Sequence, residues 1–312
     1  MKHTSYIFGP VPSRRLGMSL GVDLIPRKTC TFDCLYCQVG RTSLKTLETK
    51  SFVPVNEVIE EMKSKLLNNS PDAITLAGSG EPTLHSEIER VIDSIKEITK
   101  TQVALLTNGS LFWREEIRRR TLRADIIMPT LCSSFEDTFR RIHRPHKGLK
   151  LSSVIEGLKM LRQEYKGQLF LEVVLLAGIN DTEKEVEALK RVIEQISPEK
   201  IHLNTVVRPP ADSSAVSLDR KRLEEIKMFL GGKAEIVAKS FHGGERVTKG
   251  LLVSNFLDII KRRPLGQSDI AKALGLSMEQ VEDLVKGLLS TGRIRKQEHQ
   301  GDIYYLSGEK NV

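Results

Sequence analysis

The segment CTFDCLYC, residues 30–37, holds three of the four cysteines of this 312-residue chain. The fourth, Cys132, lies far along the chain, so the three cannot all form local disulfides. No N-terminal run is typical of a signal peptide, and no apolar stretch reaches the roughly 18 residues of a membrane span. We therefore expect a cytoplasmic protein with reduced thiols and no membrane contact.

Clustered, reduced cysteines usually bind a metal. A structural zinc site needs four closed ligands in paired spacing, and neither a second cysteine pair nor a nearby histidine completes such a set. Three thiolates instead suit an iron–sulfur cluster in which one iron has no protein ligand. The sequence therefore predicts a metal centre with one position open to chemistry.

The composition is that of a soluble globular chain. Hydrophobic residues make up 39% and charged residues 28%, which excludes disordered and fibrous classes. The formal net charge is +8, and residues 251–312 contribute nine Lys or Arg against eight Asp or Glu. Most of the positive excess, and any binding of acidic partners, is therefore expected before residue 251.

Short apolar runs alternate with amphipathic stretches along most of the chain. The runs typical of buried parallel strands are LGVDLI (20–25), AITLA (73–77), VALLT (103–107), DIIMPTL (125–131), LFLEVVLLAG (169–178) and IHLNTVV (201–207). Helical spacing separates them, as in VNEVIEEMKSKLLNN (55–69) and EKEVEALKRVIEQI (183–196). Strand and helix alternate about six times, which predicts an α/β fold, either a barrel or an open doubly wound sheet.

Small polar or glycine-rich segments follow these predicted strands. They are the cysteine segment, GSGEPTL (78–84), NGS (108–110) and the run from Thr130 to Cys132. In both fold types, ligands bind beyond the carboxyl ends of the strands. We therefore expect these segments to meet in one site.

On CTFDCLYC as a Cys-x3-Cys-x2-Cys motif and GSGEPTL as a glycine-rich motif, residues 5–245 resemble the radical S-adenosylmethionine (SAM) superfamily. A branch akin to the tRNA wyosine-synthase-like iron–sulfur oxidoreductases is similar in GPVPSRRLG (9–17), KTCTFDCLYC (28–37) and NTVVRPPA (204–211). No second cysteine set for a second cluster is present. The resemblance implies a partial (β/α)6 TIM-like barrel over residues 1–250. It also implies an electron donor such as flavodoxin or ferredoxin.

By the same resemblance, Cys30, Cys34 and Cys37 bind three irons of a [4Fe–4S] cluster, and the amino and carboxylate groups of SAM bind the fourth. An electron passed to SAM then yields a 5′-deoxyadenosyl radical, which abstracts hydrogen from the substrate. The residues at matching SAM-binding positions are Tyr36, Gly80, Glu81, Thr107, Asn108 and Thr130.

Most of these residues also have an ordinary structural interpretation. Glu81 can accept a hydrogen bond from the SAM ammonium group or lie in a surface loop. Thr107 and Asn108 can contact the methionine part or form an Asn-Gly turn. The Thr130 hydroxyl suits a ribose or merely ends a strand, and Tyr36 suits an adenine or a core aromatic position.

Cys132 stands where relatives usually carry aspartate after Thr-Leu or Ser-Leu. Strand alternation places it on the same face as Thr130, so it is our candidate catalytic residue. The alternative is a buried free cysteine that acts only as a small hydrophobic side chain.

A basic stretch, FRRIHRPHKGLK (139–150), follows the fourth predicted strand and contains no acidic residue. With Arg14, Arg15 and Arg208 it forms a predicted basic rim, which suits an RNA substrate or a protein substrate. The alternative is a solvated basic loop.

Residues 251–312 have a different pattern. LLVSNFLDIIKRR (251–263), GQSDIAKALG (266–275) and SMEQVEDLVKGLLSTG (277–292) predict three helices, and RIRKQEHQGDIYYL (293–306) predicts a β-hairpin that turns near Gly301. This order resembles a winged helix-turn-helix domain. The third helix exposes three acidic side chains, which would repel DNA phosphates: Glu279, Glu282 and Asp283.

Two functions of different classes fit these observations. The first is a radical enzyme that modifies a macromolecule or a phosphate-bearing substrate, with the C-terminal domain recruiting it. The second is an iron–sulfur or SAM-sensing transcription regulator. Glu81 and a ribose-binding hydroxyl favour catalysis, because a sensor cluster needs neither.

Overall fold

The computed structural model describes residues 5–238 and 253–308. The strands, in chain order, are β1 (Ile7–Ser13), β2 (Gly17–Val22), β3 (Thr29–Cys30), β4 (Leu44–Lys45), β5 (Ala73–Leu76), β6 (Gln102–Thr107), β7 (Ile126–Pro129), β8 (Gln168–Leu175), β9 (Lys200–Thr205), β10 (Ala234–Ile236), β11 (Leu265–Gly266), β12 (Ile294–His299) and β13 (Asp302–Ser307). The α-helices are α1 (Val55–Leu67), α2 (Ile88–Ile98), α3 (Glu115–Thr121), α4 (Glu136–His143), α5 (Leu151–Glu164), α6 (Glu183–Ile196), α7 (Arg220–Leu230), α8 (Val253–Arg262), α9 (Gln267–Leu274) and α10 (Met278–Ser290). A 3-10 turn spans Pro82–Leu84. Within the described ranges, no helix is both long and apolar enough to cross a membrane.

One large sheet carries the fold, with strand order β1-β2-β5-β6-β7-β8-β9-β10. The β1–β2 pair is antiparallel, and the other pairs are parallel. Six strand–helix units follow one another from β2 to α7, so the predicted α/β class is confirmed. The three-residue β10 adds a parallel strand that is too short to stand out in the sequence.

Helices cover the sheet with the apolar faces that their spacing predicts. In α2, for example, the buried residues are Ile88, Val91, Ile92 and Ile95, which lie on one face of a 3.6-residue helix. The predicted segment at 183–196 coincides with α6. Parallel strands held in this way bring their carboxyl ends to one edge of the sheet, where the motif-bearing loops begin.

The C-terminal segment forms the predicted order of three helices and a hairpin. The hairpin, β12 and β13, turns at Gln300 and Gly301, both with positive φ, and β11 adds a third strand. The predicted boundary between residues 250 and 251 lies outside the described residues.

The C-terminal helices share a hydrophobic core with the first strand of the chain. Phe8 and Val11 of β1 pack in one buried cluster with residues of this segment, among them Phe256, Ile259 and Ile270. Burying a large apolar side chain contributes about 1.5–3 kcal/mol. The two ends of the chain therefore stabilise each other, and β1 belongs to both cores.

A buried ion pair reinforces this contact. Arg262 donates from Nε to Oδ2 of Asp23 over 2.7 Å, and both side chains are no more than 7% exposed. The same carboxylate accepts hydrogen bonds from the backbone and the hydroxyl of Ser79 at 3.0 and 2.6 Å. A side chain at Gly78 would collide with it. Helix α8 is therefore tied directly to the GSGEPTL loop.

We predict that Arg262→Ala destabilises the protein strongly. Removing one partner of a buried pair leaves an uncompensated charge, which costs about 3–5 kcal/mol in the free energy of unfolding. Lys286→Ala, at an exposed position of α10, is the control and should cost less than about 0.5 kcal/mol. Denaturant unfolding of the full chain measures both, and similar values would contradict the prediction.

Candidate active site

A cavity opens at the carboxyl ends of the parallel strands, as the position of the motifs predicts. It is lined by nine of the predicted site residues: Cys30, Cys34, Tyr36, Cys37, Gly80, Glu81, Thr107, Asn108 and Thr130. Arg14, Arg15 and Arg208 of the predicted basic rim line it too. Cys132 is not part of this lining.

Each cysteine of the triplet has a polar neighbour. Asn108 donates from Nδ2 to Cys30 Sγ over 3.5 Å, and Lys28 Nζ lies 3.3 Å from Cys37 Sγ. The Nδ1 atom of His143 lies 3.2 Å from Cys34 Sγ. Burial raises the pKa of the Cys30 thiol to about 12, and Glu81 adds to this effect. Deprotonation of this thiol therefore calls for a bound metal.

The triplet is not arranged around a single ion. Among the described residues, no three His, Cys, Asp or Glu side chains converge as ligands of one metal. Thiolates of a cubane cluster each bind a different iron and so stand further apart than the ligands of one ion. Three soft donors on one cavity wall fit a cluster better than a zinc ion.

The basic stretch after β7 is joined to the cysteine loop by backbone hydrogen bonds. Asp33 and Leu35 donate backbone hydrogen bonds to the carbonyls of His143 and Ile142, each over 2.9 Å. His146 donates its backbone N–H to Thr31 over 2.9 Å. Burial lowers the pKa of His143 to about 3, so its ring is neutral at pH 7. His143 lies among cations that are typical of a solvated loop, so the sequence gives no signal for this role.

The cations of this stretch do not line the cavity. Arg140 pairs with Glu136 and Arg144 with Asp212, each at 2.7 Å, whereas Arg141 is exposed. This part of the predicted basic rim therefore does not line the cavity with Arg14, Arg15 and Arg208.

Glu81 is the most heavily hydrogen-bonded side chain of the site. Its Oε1 atom accepts from the backbone and hydroxyl of Thr83 and from the hydroxyl of Thr107, at 3.1, 2.6 and 2.6 Å. Its Oε2 atom accepts from the Asn108 backbone over 2.8 Å. Burial raises its pKa, and these hydrogen bonds oppose the shift. An acceptor position on Oε2 is left for a ligand.

Gly80 allows the glycine-rich loop to touch β3, the strand that carries Cys30. A Cβ at this position would overlap the Thr29 carbonyl and press on Ile25. The next residue donates its backbone N–H to that same carbonyl over 3.2 Å. Glycine at position 80 therefore sets the distance between the two motif-bearing loops.

A polar network around Glu172, for which the motifs gave no prediction, also lines the cavity. Thr130 donates to Glu172 Oε2 over 3.4 Å, and Arg15 and Asn204 contact Oε1 at 2.5 and 3.0 Å. Burial raises the pKa of Glu172, whereas Arg15, the hydrogen bond from Asn204 and Arg14 lower it. The lowering effects together outweigh burial, so the pKa lies below its ordinary value. A lone glutamate inside the apolar run LFLEVVLL was the available signal.

Cys132 lies behind the cavity in an apolar cluster that includes Leu35, Ile142 and Val174. It is fully buried, and burial raises the pKa of its thiol to about 12. Its Sγ atom is 3.9 Å from the Tyr36 hydroxyl. Strand alternation predicted that it shares a face with Thr130, but only Thr130 reaches the cavity.

A model of the radical SAM superfamily matches residues 24–193, more than half of the chain. A UPF0026 protein of Methanocaldococcus jannaschii is 34% identical over 98% of this chain and 98% of its own length. The chain belongs to the radical SAM superfamily and to the UPF0026 family. Membership of the radical SAM superfamily makes it an enzyme of that class and implies SAM and an iron–sulfur cluster as cofactors.

Two further relatives match this chain over only about half of their own length. The GTPase Obg of Brachyspira hyodysenteriae is 35% identical over 97% of this chain, which spans only 45% of that protein. No Gly-x4-Gly-Lys-Ser/Thr motif for nucleotide phosphates occurs in the present sequence. The dual-specificity RNA methyltransferase RlmN of Buchnera aphidicola is 26% identical over 56% of this chain and 50% of its own length.

Solved structures share the radical SAM fold at low identity. A radical SAM methyltransferase from Sphaerobacter thermophilus has a TM-score of 0.55 at 16% identity, covering 70% of this chain and 66% of its own. TYW1 with a lysine-pyruvate adduct has a TM-score of 0.50 at 17% identity, covering 72% of this chain and 75% of its own. The protein anSMEcpe, solved with AdoMet bound, has a TM-score of 0.51 at 19% identity, covering 68% of this chain and 58% of its own.

We predict that Cys132 is shielded from alkylation in the folded, iron-free protein. Its thiol is buried and protonated at pH 8, whereas Cys37 lines the cavity. Cys132 should therefore react with a maleimide at least about tenfold more slowly than Cys37, and equally fast after unfolding. Peptide mapping by mass spectrometry gives both rates, and similar rates in the folded protein would contradict this location.

Proposed function

We propose that this protein uses a [4Fe–4S] cluster, bound by Cys30, Cys34 and Cys37, to cleave SAM and modify a substrate by radical chemistry. The observation that carries the proposal is the convergence of nine predicted residues around one cavity. When bound, the cluster supplies an electron to SAM, which generates a 5′-deoxyadenosyl radical. The protein's residues bind and orient the groups around that reaction.

The glycine-rich loop provides the binding position for the SAM amino group. Glu81 has one acceptor position left on Oε2, and an ammonium group is the partner that such a buried carboxylate favours. Thr107 and Asn108 use their hydroxyl and backbone N–H to hold Glu81. Their role in SAM binding is therefore to position this carboxylate. The side chain of Asn108 also contacts Cys30.

The part of the cavity lined by Thr130 and Glu172 suits the adenosine part of SAM. Glu172 and Thr130 form a polar pair in which the carboxylate can accept hydrogen bonds from ribose hydroxyls. Tyr36 lies between Cys34 and Cys37 in the chain and offers an aromatic surface to the adenine. Gly80 lines the same cavity and leaves room for the Thr29 carbonyl, which a Cβ at this position would overlap.

Cys132 does not need to react in this proposal. A thiol that burial keeps protonated, behind the cavity wall, acts as a small hydrophobic side chain beside Tyr36. The electron comes from a donor such as flavodoxin or ferredoxin, in the reducing cytoplasm that the free thiols require. Six strand–helix units suit the partial (β/α)6 barrel that the resemblance implies.

The substrate is a macromolecule or a phosphate-bearing molecule that approaches along Arg14, Arg15 and Arg208. RlmN is named as an RNA methyltransferase, which supports an RNA among the candidates. The C-terminal segment has the element order of a winged helix domain. The exposed Glu279, Glu282 and Asp283 on α10 disfavour DNA, so no observation favours the transcription regulator.

A cysteine series tests the cluster. Anaerobically reconstituted protein should bind about four irons, and with a reductant it should slowly release 5′-deoxyadenosine and methionine from SAM. Alanine at Cys30, Cys34 or Cys37 should remove the iron, whereas Cys132→Ala should keep it. Loss of iron in Cys132→Ala, or stoichiometric zinc without sulfide in the parent protein, would refute the proposed ligands.

Replacement of Glu81 by alanine tests the cofactor contact. Loss of a charge-assisted hydrogen bond should weaken SAM binding by about 1.5–3 kcal/mol, while the iron content stays unchanged. Glu48→Ala removes an exposed carboxylate and is the control. Equilibrium binding to the cluster-loaded, unreduced protein measures the effect. Equal affinity in Glu81→Ala and the control would remove Glu81 from the SAM site.

A further inference from the structure

A cluster of arginines, which we call the seam arginines, lies where the cavity meets the C-terminal segment: Arg14, Arg15, Arg208 and Arg263. The first three line the cavity. Arg208 donates to Asp269 of α9 over 3.2 Å, and Arg263 contacts the same carboxylate oxygen at 3.9 Å. One carboxylate therefore serves two guanidinium groups.

The seam arginines carry more positive charge than their described partners balance. Arg15 pairs with Glu172. Within residues 5–238 and 253–308, Arg14 contacts no carboxylate, and it donates to the Asn204 side chain and the Ala238 carbonyl at 3.0 and 3.1 Å. Four guanidinium groups against Glu172 and Asp269 leave an excess of two charges among the described residues.

Burial makes this excess costly. The side chains of Arg208 and Arg263 are only 11% and 13% exposed, and each has a buried Nε atom without a hydrogen-bond partner. The pKa of Arg14 falls to about 9, first through burial and then through its arginine neighbours. Like charges held together away from water favour the binding of an anion.

The C-terminal hairpin holds this arrangement in place. Tyr304 donates its hydroxyl to the Val207 carbonyl over 2.7 Å, and Gln300 donates to the Val206 carbonyl over 2.8 Å. Both acceptors come directly before Arg208 in the chain. The C-terminal segment therefore fixes the cavity wall from which Arg208 extends.

We propose that Arg14, Arg208 and Arg263 bind a phosphate monoester group of the substrate at this seam. The inference rests on the proposed function, in which the SAM carboxylate binds the cluster and so does not occupy the site. Two excess charges match a phosphate dianion, and the forked donors of arginine match its oxygens. A buried site suits a single terminal phosphate, whereas a nucleic-acid backbone binds along exposed cations.

Phosphate binding to the full, cluster-loaded chain without SAM tests the inference. Inorganic phosphate is titrated by calorimetry into the parent protein and into Arg208→Gln, Arg263→Gln and Arg208→Lys. Each should bind at least about tenfold more weakly, because charge-assisted or forked hydrogen bonds are lost. Arg191→Gln, at an exposed position on α6, removes the same charge elsewhere and should bind as the parent does.

Further ligands identify the source of the phosphate. A nucleoside 5′-monophosphate should compete with inorganic phosphate, and the matching nucleoside should not. Unchanged binding in the Arg208 and Arg263 variants, or an equal loss in Arg191→Gln, would overturn the proposal. So would a 5′-hydroxyl RNA that competes better than the monophosphate, because it would indicate backbone binding.

Iron content and SAM cleavage without substrate are measured on the same samples. Failure of these two assays counts against the proposed function, whereas the phosphate titration addresses the seam arginines. Arg208→Lys keeps the charge, so it separates the forked geometry of arginine from charge alone even where Arg208→Gln folds poorly.

Discussion

The site depends on the close approach of two backbone segments at Gly80. The Thr29 carbonyl, one residue before the first cysteine of the motif, accepts the N–H of Glu81 because position 80 has no side chain. This contact brings a thiol-bearing loop and a buried carboxylate to one cavity. Glu81 then extends the connection to β6 through Thr107 and Asn108. Any larger residue at position 80 would separate the cysteine loop from the buried Glu81 carboxylate.

The C-terminal segment stabilises the same loop from the other side. Arg262 and Asp23 lock α8 to the glycine-rich loop, while the hairpin contacts the chain before Arg208. Removing residues after 250 would expose Phe8 and Val11 and leave the buried Asp23 without its cation. The segment therefore shapes the cavity wall, and its deletion would disturb the glycine-rich loop and the wall before Arg208 together.

The sequence predicted the fold class and nine of the cavity-lining residues because local patterns encode them. Buried parallel strands are continuous apolar runs, and the motif residues follow them directly. Contacts between distant residues leave no such pattern: Asp23 and Arg262 are 239 positions apart. Strand β1 was missed since IFGPVPS contains two prolines and a glycine, which an edge strand tolerates. His143 was missed since its charged neighbours suggested a solvated loop.

The shared core of β1 and the C-terminal helices has a consequence for exchange of parts between relatives. Phe8 and Val11 lie near one end of the chain, and Phe256, Ile259 and Ile270 lie near the other. A chimaera that takes its C-terminal segment from another family member would join two half-cores that were never selected to fit. The unit that can be transplanted is therefore discontinuous: the first strand has to travel with the last sixty residues or so.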